Sequence, residues 1–301
     1  SQTRSIDVGD LDGDGFPDVV VAFQTSFTLT WFSNLDSLGE FSVGTDIDTY
    51  EEGDHSNFVK VADLDGDGDL DVITASKQGD RVTWYENTDG EATFALGVDI
   101  STTADGAVTL ALADLDGDDD LDVVSASVFS GLASYENSNG ASFVIAIDFR
   151  QNDSLYCLPF SQRDVVTADI DGDGDIDIIS ASFDGNHTAG SFPDGRILWL
   201  ENDGSGSFAE GRDIGLLDSA RNLVAVDLDN DGDVDLVACD GVGGSIVWYE
   251  NTDGTGNFSE VIITTDVGAH SLIAVDLDGD GDFDIATANR DDGHVTWYEN
   301  L

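Results

Sequence analysis

Positive charge is what this chain has least of. Its 301 residues include 10 Lys and Arg, only two of them lysines (Lys60 and Lys77), against 63 Asp and Glu, for a formal charge of −53. Nucleic acid is excluded as a partner, because binding phosphates needs clustered Lys and Arg. An anionic membrane surface is disfavoured for the same reason. No apolar run approaches the roughly 18–20 residues that span a bilayer, so no membrane insertion is expected. Methionine is absent and no leader segment is recognisable, so the expectation is a mature product or an excised domain. Histidines are few: His55, His187, His270 and His294 are scattered, and no Gly-x-Ser-x-Gly, His-Glu-x-x-His or phosphate loop accompanies them. No catalytic residue is assigned, and the chain is read as a non-enzyme. Only two cysteines occur, Cys157 and Cys239.

Aspartate is abundant, and its spacing is regular. A nonapeptide Asp-x-Asp-x-Asp-Gly-x-x-Asp, or a close variant, begins at Asp10, Asp63, Asp114, Asp169, Asp227 and Asp276, so consecutive starts lie 53, 51, 55, 58 and 49 residues apart. A period near fifty marks a repeat architecture, in which a unit cannot bury its apolar face alone. Around residues 58–100 the unit reads as four strands. Phe58–Leu64 alternates apolar and polar, the acidic loop 63–71 follows, Val72–Ser76 is β-branched and apolar, and Val82–Asn87 is a third strand. Phe94–Ile100 is the fourth, with polar turns between. The third strand repeats as Trp-Tyr-Glu-Asn or a variant, and all five tryptophans (31, 84, 199, 248, 297) occupy one position in it. We read this row as packing between units, since each such ring buries about 150–250 Å².

The pattern predicts an all-β fold: a single six-bladed β-propeller of four-stranded antiparallel blades over 1–301, with one calcium loop per blade. The units run approximately 1–52, 53–104, 105–158, 159–217, 218–266 and 267–301. The last unit lacks its outer strand, an open edge, so the polypeptide is expected to continue past Leu301 as part of a longer protein.

Oxygen ligands at alternating positions suit Ca²⁺, a hard cation that takes six to eight oxygens at about 2.3–2.6 Å. Positions one, three and five offer carboxylates, position seven a backbone carbonyl, and position nine a closing carboxylate. The candidate ligands in the first three loops are Asp10, Asp12, Asp14, Phe16 and Asp18; Asp63, Asp65, Asp67, Asp69 and Asp71; and Asp114, Asp116, Asp118, Asp120 and Asp122. The last three supply Asp169, Asp171, Asp173, Asp175 and Asp177; Asp227, Asp229, Asp231, Asp233 and Asp235; and Asp276, Asp278, Asp280, Asp282 and Asp284. Asn230 replaces the glycine at position four of the fifth loop, where a left-handed backbone tolerates Asn. Asp119 replaces the glycine at position six of the third and is expected to strain its turn. Six equivalent sites on six hairpins read as structural staples that neutralise clustered carboxylates, not as a switch. Six Ca²⁺ ions would bring the formal −53 to −41.

The Asp-Leu-Asp-Gly-Asp-Gly-Asp-x-Asp loops, cleanest at 63–71 and 276–284, and the Trp-Tyr-Glu-Asn strand resemble the FG-GAP/VCBS repeat family, whose loops also occur in the propeller of integrin α subunits. The resemblance spans essentially the whole chain. It implies a calcium-bearing β-propeller, extracellular, serving as an adhesion, surface-assembly or carbohydrate-associated module. The six units depart from the seven of integrins. Open calcium loops need about millimolar free calcium, which also points outside the cell. The main expectation is a non-catalytic adhesion or structural module of a larger surface or secreted protein. The alternatives are a lectin-like carbohydrate-binding propeller and a calcium-dependent polysaccharide-degrading domain. A protein or glycan partner is expected on the loop face opposite the calcium loops, where the long connections are Asp48–Asn57, Phe149–Arg163 and Ser182–Arg196. Those connections carry Tyr156, Phe160, His187 and Phe192. Topology permits a Cys157–Cys239 disulfide or two separate thiols. Sequons begin at Asn152, Asn186 and Asn257.

Overall fold

A computed structural model describes residues 2–36, 38–51, 54–138, 142–149, 160–184, 195–265, 268–290 and 293–300. Blade 1 consists of β1 (Thr3–Gly9), β2 (Asp18–Phe23), β3 (Thr28–Phe32) and β4 (Thr45–Thr49). Blade 2 has β5 (Ser56–Ala62), β6 (Asp71–Ser76), β7 (Arg81–Tyr85) and β8 (Val98–Ser101). Blade 3 has β9 (Ala107–Ala113), β10 (Asp122–Ser127), β11 (Gly131–Asn137) and β12 (Phe143–Asp148). Blade 4 has β13 (Phe160–Ala168), β14 (Asp177–Asp184), β15 (Gly195–Leu200) and β16 (Arg212–Leu217). Blade 5 has β17 (Ala220–Val226), β18 (Asp235–Asp240), β19 (Ile246–Asn251) and β20 (Phe258–Thr264). Blade 6 has β21 (Ala269–Val275), β22 (Asp284–Asn289) and β23 (Val295–Tyr298).

Each blade is an antiparallel meander in chain order, four-stranded in blades 1 to 5 and three-stranded in blade 6. The fold is therefore the six-bladed β-propeller that the repeat predicts. By backbone packing the chain divides into two compact units: Ser1–Asp114 with Asp118–Asp153, and Leu115–Gly117 with Ser154–Leu301. Each unit holds three consecutive blades.

In the first unit, Leu11, Val20, Ala22 and Leu29 of blade 1 pack on Val59, Val72 and Tyr85 of blade 2. Blade 2 in turn packs Leu64, Ile73, Ala75 and Trp84 on Leu110, Val123 and Tyr135 of blade 3. The second unit repeats the scheme between blades 4 and 5 through Trp199 and Tyr249, and between blades 5 and 6 through Val237, Cys239, Leu272 and Ile285. The second strand of an inner blade is covered on both faces, so β6, β10 and β18 are buried at every residue. That is why these strands read as runs of β-branched and small residues without alternation.

The strand bounds of unit two differ slightly from expectation. β5 begins two residues before Phe58, and the fourth strand shortens to Val98–Ser101 with an isolated bridge between Asn87 and Phe94. Every first strand also carries a bulge that no local pattern announces. The extra residue is Arg4, Asn57, Val108, Arg163, Arg221 or His270. Trp84 and Trp199 are buried, and Trp31 and Trp248 pack partly buried on the blade clusters. Trp297 is 48% exposed, so the packing role does not extend to it.

Candidate metal centre

Each acidic nonapeptide joins the first strand of its blade to the second. Alternating Asp side chains turn inward because the loop backbone alternates between right- and left-handed conformations. Position four has a φ of +75° at Gly66 and +59° at Asn230, and position six one of +97° at Gly68. Asp119 sits at +71°, inside the left-handed well that Asp tolerates. Its N–H reaches Asp114 Oδ2 at 3.0 Å, as that of Gly68 reaches Asp63 Oδ2 at 3.0 Å. The third loop thus keeps the turn of the others. A short polar side chain in this well costs less than the expected strain implied.

The carboxylates converge. Oxygens of Asp10, Asp12 and Asp18 lie within 4.8 Å of one another, as do those of Asp63, Asp65 and Asp71, of Asp114, Asp116 and Asp122, and of Asp227, Asp229 and Asp235. In the fourth loop the converging group is Asp169, Asp171 and Asp173. The sixth loop folds alike, with Gly279 and Gly281 N–H donating to Asp276 at 2.6 and 3.1 Å. Position five works as a loop clamp in every copy. Its Oδ1 accepts the position-seven N–H, from Phe16 to Asp14 at 2.9 Å through Asp282 to Asp280 at 3.0 Å. The position-seven residues so clamped are Phe16, Asp69, Asp120, Asp175, Asp233 and Asp282.

Position nine does more than close a loop. Asp71 is fully buried; its Oδ2 accepts the Leu64 N–H at 3.1 Å and its Oδ1 the Asn87 N–H at 2.8 Å. Asp18, Asp177, Asp235 and Asp284 are bound in the same way. Both oxygens at position nine thus already hold backbone N–H groups, leaving one lone pair on each for an ion. Burial pushes the carboxyls of Asp71 and Asp177 up to about 6 and raises Asp18 and Asp235 as well. Burial raises Asp65 and Asp171 at position three too, with neighbouring carboxylates adding to it.

The residues present fit a divalent cation. Asp10 Oδ1, Asp12 Oδ1 and Asp171 Oδ1 are buried carboxylate oxygens with no hydrogen-bond partner. A buried carboxylate oxygen without a donor is costly unless a cation meets it. The donor set is all oxygen, as a hard ion requires.

Asparagine is the functional residue that the sequence reading passed over. The last residue of the Trp-Tyr-Glu-Asn strand reaches into the loop of the preceding blade. Asn87 Nδ2 donates to the Leu11 carbonyl at 2.9 Å and Asn137 Nδ2 to that of Leu64 at 2.7 Å. Asn202, Asn251 and Asn300 bond likewise to Leu115, Ile170 and Leu228. Since the backbone N–H of the same residue holds the position-nine carboxylate of its own loop, Asn87, Asn137, Asn251 and Asn300 each tie two successive acidic loops together. The six-fold recurrence of Asn after Trp-Tyr-Glu or its variants was the signal that could have revealed it.

At the opposite end of the sheets, Asp48, Thr49, Tyr50, Glu51, Asp54, Gln78, Gly79 and Arg81 line a polar depression of about 750 Å³. Arg81 pairs with Asp54. Tyr85 donates to Asp48 at 2.8 Å, and Tyr50 accepts from Ser56 at 2.7 Å. Of the long connections, 150–159 and 185–194 lie outside the described residues, and with them Tyr156, His187, Phe192, Asn152, Asn186 and Cys157; the side chain of Phe160 lies outside as well. Cys239 is a free, fully buried thiol in β18, and burial pushes it up to about 12. Asn257 is exposed, its amide bonded to Asp253 at 2.8 Å. No described helix is long and apolar enough to cross a membrane.

A family model for the FG-GAP-like repeat matches residues 10–74, 63–125, 169–238 and 227–287, more than half of the chain. A search of the curated proteins finds no match. Among solved structures the chain is similar to a lectin of Agrocybe aegerita described as recognising non-reducing terminal N-acetylglucosamine. That likeness has 20% identity and a TM-score of 0.58, covering 86% of this chain and 65% of the other. It is also similar to BBS1N in a complex with ARL6DN (11% identity, TM-score 0.59, 98% of this chain and 78% of that one) and to the Dos1 propeller (13%, 0.57, 95% and 66%). At these identities the likeness is one of fold. The chain spans just under two thirds of the length of the lectin.

Proposed function

Because this chain belongs to the FG-GAP-like repeat family, we propose that it is a non-catalytic propeller module stapled by about six Ca²⁺ ions, serving adhesion or assembly within an extracellular protein. The observation that carries the reading is the pairing of convergent carboxylates with buried oxygens that lack a donor. An ion at each loop would neutralise carboxylates that otherwise repel, and would firm the carbonyl on which the Asn of the next blade rests. Ion binding would then be stability spread over many sites, as suits a rigid scaffold that meets millimolar calcium outside the cell. Titrating calcium into EDTA-stripped protein is expected to show several sites of similar affinity. EDTA is expected to lower the melting temperature by tens of degrees. A melt that is the same with and without calcium overturns the proposal.

A carbohydrate-binding role is the second reading, favoured by the polar depression around Tyr50. Carboxylates, a guanidinium and a tyrosine there supply the acceptors, donors and apolar surface that a sugar ring uses. A glycan array probed with calcium-loaded protein tests it. Hits that vanish in Asp48→Ala are expected; a blank array removes this reading.

A further inference from the structure

A cation in a chain of charge −53 should find a carboxylate, and Arg81 and Arg196 do, pairing with Asp54 and Asp213. Among the described residues, Arg163, Arg221 and Arg290 do not. Among the described residues no carboxylate forms an ion pair or hydrogen bond with any of these three guanidiniums. Arg163 and Arg221 are partly buried and Arg290 is exposed, and partly buried charges without a partner are rare in folded chains.

The fold brings the three together. Arg163 and Arg221 are the bulge residues of β13 and β17. Those strands lie side by side, joined by Asn222 donating to Asp164 and by the Leu223 N–H donating to the same carboxylate at 2.9 Å. β21 follows, its Leu272 N–H donating to Asn222 at 2.7 Å. Arg290 comes directly after β22, and its N–H donates to the Gly268 carbonyl, at the start of β21, at 3.2 Å. Three consecutive blades thus send a guanidinium to the end of the sheets opposite their acidic loops. A bulge re-aims a side chain out of the pleat, and Arg163 lies 5.5 Å from the Phe183 ring. Room for Arg221 is made by Gly241, where a Cβ would stand 2.7 Å from Arg221 Cδ.

The neighbouring carboxylates are engaged elsewhere. Asp164 accepts from Val165, Asn222 and Leu223, and Asp240 from the N–H groups of Ser219 and Val242, each at 3.0 Å. Burial, then the nearness of Arg163 and Arg290, lowers Arg221 from the ordinary guanidinium range.

We propose that Arg163, Arg221 and Arg290 form a binding site for a small ligand carrying a carboxylate, sulfate or phosphate group. Planar guanidinium forks match the paired oxygens of such groups. A large polyanion would feel the repulsion of the remaining surface, whereas a small anion inside the cluster is screened from charges beyond about 8–10 Å. The site goes beyond the calcium reading and does not depend on it, since it lies at the other end of the sheets.

Calorimetric titration of the calcium-loaded chain with sulfate, and separately with succinate, tests this at about 0.15 M ionic strength, where that screening holds. Saturable binding of at least one probe is expected, weakened at least tenfold in Arg221→Gln and lost in the double variant R163Q/R221Q. Arg196→Gln, which loses an arginine that has its own carboxylate partner, should bind as the parent does. Circular dichroism and melting establish that each variant is folded. Absence of saturable heat with both probes, or equal affinity in the double variant, overturns the site. A sulfated polysaccharide that binds more tightly than sulfate overturns the restriction to small ligands. A chain that binds sulfate yet takes up no calcium overturns only the calcium reading.

Discussion

Asn87 holds three groups at once: the carboxylate of Asp71, the carbonyl of Leu70 in its own blade, and the carbonyl of Leu11 in the blade before. It is fully buried, so removing its amide strands acceptors that water cannot reach. Asn87→Ala is therefore expected to destabilise the calcium-loaded protein by about 1–3 kcal/mol, read from denaturant or thermal melts. Asn34 provides the contrast. Its Nδ2 donates to the Pro17 carbonyl of its own blade at 3.1 Å in an exposed setting, so Asn34→Ala should cost less. Equal losses at the two positions would refute the role of Asn87 as a tie between loops. The motif was visible as a repeated Trp-Tyr-Glu-Asn, but the partner carbonyl lies 76 residues away. No local pattern reports that separation.

The acidic hairpin is the element that was most legible. Side-chain direction within nine residues follows from backbone conformation alone, and glycine or asparagine at position four announces the left-handed turn before any packing is known. Position six sorts its residues by the same rule. Gly68 has a φ of +97°, beyond the left-handed well, while Asp119 has relaxed to +71°. Gly68→Ala is expected to cost about 1–2 kcal/mol of calcium-loaded stability, because a Cβ is strained there. Asp119→Gly should change stability by less than about 1 kcal/mol, relief of strain offsetting the entropy of glycine. Melts of the two variants beside the parent check this, and a large loss in Asp119→Gly would show that its carboxylate has a separate role. What the hairpin sequence did not display is that position nine is a buried knot. Asp71 looks like a ligand in one dimension, and only the folded strand brings the Leu64 and Asn87 N–H groups onto its two oxygens.

At the scale of the whole molecule, charge links pH to stability. The carboxyls of Asp71 and Asp177 are pushed up to about 6 by burial, above the ordinary 3.8. A group that holds its proton more tightly in the folded state favours folding below its unfolded value. It loses that contribution as pH rises through its folded value. Metal-free protein is therefore expected to melt higher at about pH 5 than at about pH 7, helped by the relief of repulsion among 63 acidic residues. Calcium-loaded protein should show the opposite slope, since protons compete with the ion for the same oxygens. Melting curves at three pH values, in EDTA and in calcium, decide it. A metal-free melt that falls on acidification would contradict the burial of these carboxyls.

By itself the sequence determined the number of blades, the order of their strands, the left-handed positions and the convergence of acidic side chains. Each of these depends on covalent spacing and backbone sterics within one repeat, so a single unit contains the information. The tertiary structure alone decided which Asn meets which carbonyl, which side of each strand is covered, and that Arg163, Arg221 and Arg290 share one end of three sheets. Those outcomes depend on strands from different repeats lying side by side. The bulges that deliver Arg163 and Arg221 arise from pairing between strands, a property that neither strand carries alone.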